Sequence, residues 1–179
     1  MVFRARSPVR VDFAGAWTDC APFANAFGGA TLNAAITMYV EGTLEAHEGE
    51  EFPISDKSDK RTGMAVTYSA EIPAGTGLGT SAALNVVWLA LARREVVTSQ
   101  ADRERIAALA YDIEKVLGII GGKQDQYASA IGGINLFEFT EEGVRCLPVQ
   151  PDGQCLQALR ERLLLCYTGM ARLSSNIHR

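Results

Sequence analysis

The chain has 179 residues, 47% of them apolar and 21% charged, which is the composition of a globular domain with a core rather than of a disordered segment. Its formal net charge of −4 excludes the broad basic surface on which nucleic acids bind, so we expect no nucleic-acid partner. The four cysteines show no C-x-x-C spacing and only two histidines are present, so we expect buried reduced thiols rather than a structural zinc site.

The sequence gives no sign of a membrane segment. Its longest apolar stretch, residues 82–92, is interrupted by Asn85 and is too short to span a bilayer. Arg4 and Arg6 are not followed by a long apolar run, so no signal peptide is expected. These features favour a cytoplasmic enzyme with a small-molecule partner and no membrane partner.

The first predicted element is a strand, because apolar and charged side chains alternate over residues 9–13. This alternation predicts that Arg10 lies on the face opposite the core. Gly28 and Gly29 interrupt the chain that follows. The next predicted elements are a short apolar segment, a strand and a polar surface loop, at residues 32–36, 38–46 and 48–60.

A strand over residues 65–72 leads into the most informative stretch, residues 73–83. We call its first part, residues 73–81, the glycine loop. Its glycines alternate with other residues, a hydroxyl pair follows, and an apolar helical run then begins. Glycine permits a positive φ and close approach of a phosphate, and the N–H groups and dipole of the following helix favour an anion. The loop therefore predicts a site for a phosphorylated ligand, first of all a nucleotide. The residues expected to contact the phosphates are Pro73, Gly75, Thr76, Gly77, Leu78, Gly79, Thr80 and Ser81.

The glycine loop matches neither of two familiar phosphate-binding patterns. A Walker A loop would end in Gly-Lys-Ser/Thr, and a Rossmann turn would have the spacing Gly-x-Gly-x-x-Gly. The alternative to a phosphate site is a tight turn between strand and helix that binds nothing.

Three helices and three strands are predicted after the loop. The helix over residues 81–92 should bury Leu84, Val87, Trp88 and Leu91. A second helix starts at a capping box, Ser99 to Asp102, and stops before Gly118. Its apolar stripe consists of Ile106, Leu109, Ala110, Ile113, Val116 and Leu117. A third helix lies between the glycine pairs at 121–122 and 132–133, and strands are predicted at residues 134–139, 144–149 and 163–167. This order favours an α+β fold with a mixed sheet.

Glu114 is the first residue that chemistry could use. It lies at the edge of the apolar stripe, and with the Ser81 hydroxyl it offers oxygen ligands that suit Mg²⁺. The alternative is a surface glutamate paired with Lys115.

Asp125 is the second, because a carboxylate after a glycine pair lies near a helix start, where the dipole stabilises its ionised form. Such a group can orient a substrate hydroxyl or accept its proton, and the alternative is an ordinary capping aspartate. Arg10 can pair with Asp125 or screen phosphoryl charge, and its alternative is a surface strand arginine. Thr18 and Asp19 can bind the hydroxyls of a polyol or simply form a turn.

Together these segments resemble the GHMP small-molecule kinases, a family that includes galactokinase, homoserine kinase and mevalonate kinase. The N-terminal motif of that family resembles Arg6-Ser7-Pro8-Val9-Arg10-Val11-Asp12-Phe13-Ala14-Gly15, followed by Thr18-Asp19 and Gly28-Gly29. Its phosphate-binding motif resembles residues 73–83, with Thr80 where serine is common. The resemblance covers nearly the whole chain.

Residues 14–19 and 122–128 are similar to a subgroup of the family, the D-glycero-D-manno-heptose 7-phosphate kinases and fucokinases. Ala16 and Trp17 stand where galactokinases carry a glutamate-histidine pair, which argues against galactose as the substrate. They also stand where the subgroup usually has glycines, so the bulky Trp17 leaves the identity of the sugar open.

The resemblance implies a ribosomal protein S5 domain 2-like fold and an ATP-dependent kinase that phosphorylates a hydroxyl of a heptose phosphate or a fucose-like sugar. It implies ATP and Mg²⁺ as cofactors, Ser81 and Glu114 as metal ligands, Asp125 as the catalytic carboxylate and Arg10 as its cationic neighbour. The sugar contacts that it implies are Thr18, Asp19, Gly28, Gly29, Gln124 and Arg172.

Members of the family also carry a C-terminal ferredoxin-like domain with a third glycine-rich motif, which these residues do not include. We therefore expect residues 1–160 to form the ATP-binding domain and residues 161–179 to begin a truncated second domain. Apolar surface left open in this way predicts aggregation or self-association, of which a homodimer is one form. The alternatives to a sugar kinase are a non-catalytic nucleotide- or sugar-binding module and a GHMP kinase for a non-sugar substrate such as mevalonate.

Overall fold

An antiparallel sheet with helices packed on it forms the body of the molecule. A computed structural model describes residues 1–52, 61–73, 75–94, 96–119 and 121–170. The elements of this part, in chain order, are β1 (Val2–Ala14), α1 (Ala21–Phe27), β2 (Gly29–Phe52), β3 (Arg61–Ala70), α2 (Thr80–Arg93), α3 (Gln100–Val116), α4 (Gln124–Ile131), β4 (Ile134–Thr140), β5 (Gly143–Pro148) and α5 (Gly153–Arg162). The predicted α+β class is confirmed.

The long strand β2 organises the sheet. It pairs with β1 along one edge, while β3 and β4 pair with different parts of its other edge. A hairpin then adds β5 to β4. All these pairs are antiparallel, so the predicted mixed sheet is wrong in this respect. Because β3 and β4 occupy separate halves of β2, they run in the same direction without a parallel pairing between them.

The N-terminal strands are longer than the sequence pattern predicts. Residues 32–36 and 38–46 belong to one strand, because a register shift between Pro8 and Arg10 absorbs extra residues of β2 without ending it. Residues 48–52 of the predicted surface loop continue that strand, and residues 53–60 lie outside the described residues. No sequence pattern predicts the helix α1.

Two apolar clusters form the core, and α2 contributes to both. One cluster contains Val86 and Leu89 with residues of α3, α4 and β4, and the other contains Ala83, Val87 and Leu91 with residues of β1 and β2. The prediction that Leu84 and Trp88 are core residues is wrong, since they are 38% and 45% exposed. They lie on the side of α2 that faces away from the sheet.

The capping box at Ser99 is confirmed, because its hydroxyl accepts the Asp102 N–H and the Asp102 carboxylate accepts the Ser99 N–H. The apolar stripe of α3 ends earlier than predicted, since Val116 and Leu117 are 87% and 67% exposed. In the last turns of α3 the buried side chain is Glu114, which lies where α3 meets α2 and α4.

The predicted strand at residues 163–167 is wrong. The residues just before it form α5, whose start the Asp152 carboxylate caps by accepting the Cys155 N–H. Residues 163–168 have no regular structure, and α5 buries none of its residues. All four cysteines are free as predicted, but Cys155 and Cys166 are exposed rather than buried.

Within the described ranges, no helix combines the length and the apolar character needed to cross a membrane.

Candidate functional site

The glycine loop lies against β1 at the start of α2. The Arg10 N–H donates to the Leu78 carbonyl at 3.0 Å, which fixes the loop to the edge of the sheet. Gly75, Gly77 and Gly79 all have positive φ, at 77°, 80° and 75°. A Cβ on Gly77 would meet nothing within 4 Å, so its backbone conformation rather than lack of space requires glycine there.

Two threonine hydroxyls of the loop fit a phosphate-binding role. The Oγ1 atoms of Thr76 and Thr80 are buried and have no hydrogen-bond partner. No side chain caps the start of α2, so the N–H groups of its first turn are not taken by a cap. A buried polar atom without a partner is costly, and phosphate oxygens would satisfy both hydroxyls. The residues present therefore fit a nucleotide phosphate group.

Arg10 and Asp125 form an ion pair beside the glycine loop. This ion pair joins β1 to the first turn of α4. Arg10 donates from Nε to Asp125 Oδ1 at 2.8 Å, and its Nη2 donates to the same oxygen. Its Nη1 donates to the Gly77 carbonyl at 2.7 Å, so one guanidinium holds both the loop and the carboxylate. Arg10 is only 8% exposed, which corrects the prediction that it lies on the open face of a half-buried strand.

The second carboxylate oxygen of Asp125 is not engaged by Arg10. A Cβ placed on Gly79 would lie 3.5 Å from Asp125 Oδ2, so this oxygen borders the glycine loop. The Asp125 side chain keeps 30% of its exposure, and it is therefore accessible to a small molecule. Asp125 lies in the first turn of α4.

Asp19 is a second carboxylate that contacts the start of α4. Its Oδ2 accepts the Gln124 N–H at 2.9 Å, and the residue is 2% exposed. Burial raises the pKa of this carboxyl, and the charge of Asp125 raises it further. A side chain at Gly122 would overlap the Asp19 carboxylate, so glycine is required at that position. Asp19 thus positions α4, and with it Asp125.

Asp12 is a member of the site that sequence reasoning missed. Burial raises its pKa against the lowering effect of Arg10, and its Oδ1 is buried without a partner. The signal was present in the alternation of β1, because residues two apart in a strand share a face. Asp12 therefore lies on the face of Arg10.

Glu114 connects three helices at the other end of the site. Its two oxygens accept amide N–H groups from Asn85 at 2.8 Å and from Gln126 at 2.7 Å. Burial raises its pKa, with Asp125 adding to the effect. The two amide partners were not found from sequence, since they are 29 and 12 residues away along the chain.

A magnesium ion is compatible with this corner of the site. Ser81 lies one turn before Asn85 on α2, so its hydroxyl is on the side of the helix that faces Glu114. Each Glu114 oxygen accepts one hydrogen bond and retains a lone pair for a cation. The described residues contain no group of three or more His, Cys, Asp or Glu side chains that could hold a metal.

The remaining predicted sugar contacts differ in whether the protein itself already engages them. The Thr18 hydroxyl donates to the Gly15 carbonyl at 2.7 Å and accepts the Ala30 N–H at 3.0 Å, so it already serves the backbone. Gly29 packs against the Thr18 carbonyl with no room for a Cβ, and Gly28 has a φ of 73°. Gln124 Oε1 is buried without a partner, which suits a ligand contact. Arg172 lies outside the described residues.

A cavity of about 660 Å³ lies elsewhere, between β1, β2 and the C-terminal turns of α2 and α4. Ser7, Ala90 and Ser129 are among the residues that line it, and no residue of the glycine loop or of the Arg10–Asp125 pair does. The chemistry is concentrated around the loop, so we place the candidate site there.

Comparison with known proteins gives one family match and several curated relatives. A family model described as the GHMP kinases N terminal domain matches residues 28–133. The chain is 29% identical over 210 aligned positions to the D-glycero-alpha-D-manno-heptose 7-phosphate kinase of Campylobacter jejuni, which covers 97% of this chain and 62% of that protein. It is 27% identical to the bifunctional fucokinase/GDP-fucose pyrophosphorylase of Arabidopsis thaliana, over 95% of this chain and 20% of that protein.

A solved structure of a heptose-phosphate kinase is also similar to this chain. The crystal structure of a D-glycero-D-manno-heptose 1-phosphate kinase from Bacteroides thetaiotaomicron matches with a TM-score of 0.73 and 27% identity, over 89% of this chain and 63% of that one. The chain thus spans less than two thirds of the length of this protein and of the Campylobacter jejuni relative. The resemblance found from the sequence is confirmed, since the family model matches more than half of the chain. The chain belongs to the GHMP kinase family and contains the N-terminal domain of such a kinase.

Proposed function

We propose that this chain is the nucleotide-binding part of an ATP-dependent sugar kinase, which phosphorylates a hydroxyl group of a heptose phosphate or a fucose-like sugar. The observation that carries the proposal is the Arg10–Asp125 pair at the glycine loop, where one guanidinium contacts both the loop and the carboxylate. Phosphoryl transfer depends on positioning and on charge stabilisation, and this arrangement provides both. The kinases among its relatives support a sugar as the acceptor.

The glycine loop would hold the phosphates of ATP. The N–H groups at the start of α2 and the hydroxyls of Thr76 and Thr80 would donate to phosphate oxygens. Ser81 and Glu114 would hold Mg²⁺, which neutralises charge on the phosphates when it is bound. The amide groups of Asn85 and Gln126 orient Glu114 for that role.

Asp125 would orient the attacking hydroxyl and accept its proton at Oδ2. Arg10 engages Oδ1 and fixes the direction of the carboxylate. Asp19 holds the start of α4 through the Gln124 N–H, which fixes the position of Asp125. Thr18, Gly28, Gly29, Gln124 and Arg172 stay predicted sugar contacts, and a homodimer stays a predicted assembly.

The test is formation of ADP with D-glycero-D-manno-heptose 7-phosphate, L-fucose and mevalonate as separate acceptors. Both this chain and any longer product of the same reading frame would be assayed. We expect sugar-dependent ADP formation with a heptose phosphate or fucose. Turnover with mevalonate alone would contradict the sugar assignment, and nucleotide binding without turnover in both forms would favour a non-catalytic binding module.

A further inference from the structure

The cavity between β1, β2 and the C-terminal turns of α2 and α4 is large enough to hold a ligand of its own. Its volume of about 660 Å³ falls within the range of small-molecule sites, which is roughly 300–1,000 Å³. None of the described residues that line it belongs to the glycine loop or to the Arg10–Asp125 pair. The lining of the cavity therefore indicates the chemistry of a second ligand.

The charged residues around this cavity are cationic. Among the residues that the structure describes, four arginines line it and no aspartate or glutamate does: Arg4, Arg6, Arg94 and Arg103. The chain as a whole is acidic, with 21 acidic and 17 basic residues, so the cavity has the opposite charge balance to the rest of the molecule. Guanidinium groups gathered around one cavity create a positive potential there, which favours an anionic ligand.

Two of these arginines are held in place by neutral groups. The Arg6 guanidinium lies 4.8 Å from the centroid of the Tyr39 ring, and both residues line the cavity. Arg103 Nη1 donates to the Ala130 and Ile131 carbonyls at 3.3 and 3.5 Å. Neither Arg6 nor Arg103 forms an ion pair with a described residue. Each guanidinium has five N–H donors, so both keep donors that an anionic group can bind.

An apolar surface forms another part of the lining. Val86, Leu91 and Ile106 line the cavity and are at most 8% exposed. Phe3 and Val97 also line it, and each packs against one of the two core clusters. Sites for small molecules commonly combine an apolar wall with a few polar groups that fix orientation. The lining therefore favours a molecule with an apolar body and a charged group over a free inorganic ion.

We propose that this cavity is a second ligand site, which binds a small amphipathic anion: an apolar body that carries a phosphate or a carboxylate group. Arginine suits both groups, because its planar guanidinium donates in a fork that matches their geometry. Arg6 and Arg103 would bind the anionic group, while Phe3, Leu91 and Val97 would contact the apolar body. The inference does not depend on the proposed function, because none of the residues assigned to nucleotide binding or catalysis takes part in it.

The test is titration of the unmodified chain with hexyl phosphate and with hexanoate, measured by isothermal calorimetry. Inorganic phosphate and 1-hexanol are the controls, since each carries only one part of the amphipathic molecule. We expect saturable binding of at least one of the two anions, tighter than that of either control, and the tighter anion identifies the preferred charged group. ADP should not displace it, because nucleotide phosphates are expected at the glycine loop. Absence of binding by both anions, equal binding of a control, or displacement by ADP would overturn the inference.

Substitutions at the arginines locate the bound anion. Arg6 is exposed, so we expect Arg6→Gln to leave the melting temperature unchanged and to raise the dissociation constant of the tighter anion about tenfold. We expect a similar rise for Arg103→Gln, whose amide can still donate to the Ala130 carbonyl. Arg160→Gln is the matched control, because Arg160 is exposed on α5 and does not line the cavity. Unchanged affinity in both cavity variants, or an equal loss in Arg160→Gln, would overturn the inference.

Discussion

The candidate site and the C-terminal segment, residues 153–170, depart from the usual burial pattern in opposite directions. In the site, charged and amide side chains are buried, with Arg10, Asp19, Glu114 and Gln126 each at most 8% exposed. In the C-terminal segment, apolar side chains are exposed, and Leu164 and Met170 reach 81% and 75%. Both departures cost free energy, but only the first is offset by contacts within the described chain.

The contrast shows which part of the molecule is constrained. Each buried charge of the site has a named partner on another element, so a single change should disturb several elements together. The C-terminal segment buries none of the residues of α5 and leaves apolar side chains in water. Changes there should leave the folded body untouched, and the predictions below test that difference.

The largest effect on stability should come from Arg10→Ala. It removes a guanidinium that bonds Asp125 and the Gly77 carbonyl, and it leaves a partly buried carboxylate without its cation. We expect a loss of about 3 kcal/mol in the free energy of unfolding. Urea denaturation would measure it. Arg105→Ala is the matched control, because its pair with Asp102 is exposed and should contribute less than about 1 kcal/mol. Equal losses in the two variants would contradict the account.

A pair of adjacent glycines tests the packing of Asp19. A methyl group at Gly122 would overlap the buried Asp19 carboxylate, whereas one at Gly121 would meet nothing within 4 Å. We expect Gly122→Ala to lower stability by about 2 kcal/mol through overpacking, measured by thermal denaturation. Gly121→Ala should stay within about 0.5 kcal/mol of the unmodified chain. Similar melting temperatures for both variants would show that Asp19 does not fix the start of α4.

Asp19→Asn should change how stability depends on pH. The pKa of Asp19 in the folded chain is raised above its ordinary value of 3.8, mainly by burial, so its ionised form destabilises the fold. The cost is fully present above the raised pKa and disappears as the pH falls through it toward 3.8. Asparagine retains an oxygen for the Gln124 N–H and is never charged. We therefore expect the melting temperature of Asp19→Asn to exceed that of the unmodified chain at pH 7, and the excess to shrink toward pH 4. An excess that is constant with pH would show that ionisation of Asp19 carries no cost. Asp112→Asn, at an exposed position of α3, is the control.

The smallest effect on stability should follow Leu164→Glu in the C-terminal segment. The leucine is 81% exposed, so we expect a change in the free energy of unfolding within about 0.5 kcal/mol. Sedimentation velocity should nevertheless show less self-association, because the charge interrupts an exposed apolar run. A large loss of stability would show that this segment is part of the folded body after all.

Sequence reasoning found the elements with strong local signals. The glycine loop, the capping box at Ser99 and the helix between two glycine pairs all depend on neighbouring residues, and the structure contains each of them. The sequence left three interpretations of Arg10 open: an ion pair with Asp125, a cation that screens phosphoryl charge, and a surface strand arginine. Arg10 and Asp125 are 115 residues apart in the chain, so only the fold could show that they pair.

The sequence was least informative where burial depends on distant elements. The sequence placed Glu114 only at the edge of the apolar stripe of α3. Glu114 is buried because amide groups on α2 and α4 donate to its carboxylate, and the residue pattern of α3 alone cannot reveal those partners. Trp88 has helical spacing with core residues but lies on the outer side of α2. Residues 163–167 have the apolar composition of a strand, yet no strand pairs with them in the described chain.

The most direct test of the central claim is transfer of the γ-phosphoryl group from ATP to the sugar by the unmodified chain and by Asp125→Asn, with ATP affinity measured in parallel. The account predicts that turnover falls by roughly 10²–10⁴-fold in the variant, because the carboxylate that orients and deprotonates the hydroxyl is lost. ATP affinity should change little, since the nucleotide is bound by the glycine loop rather than by Asp125. Turnover close to that of the unmodified chain would contradict the assignment of Asp125 as the catalytic carboxylate.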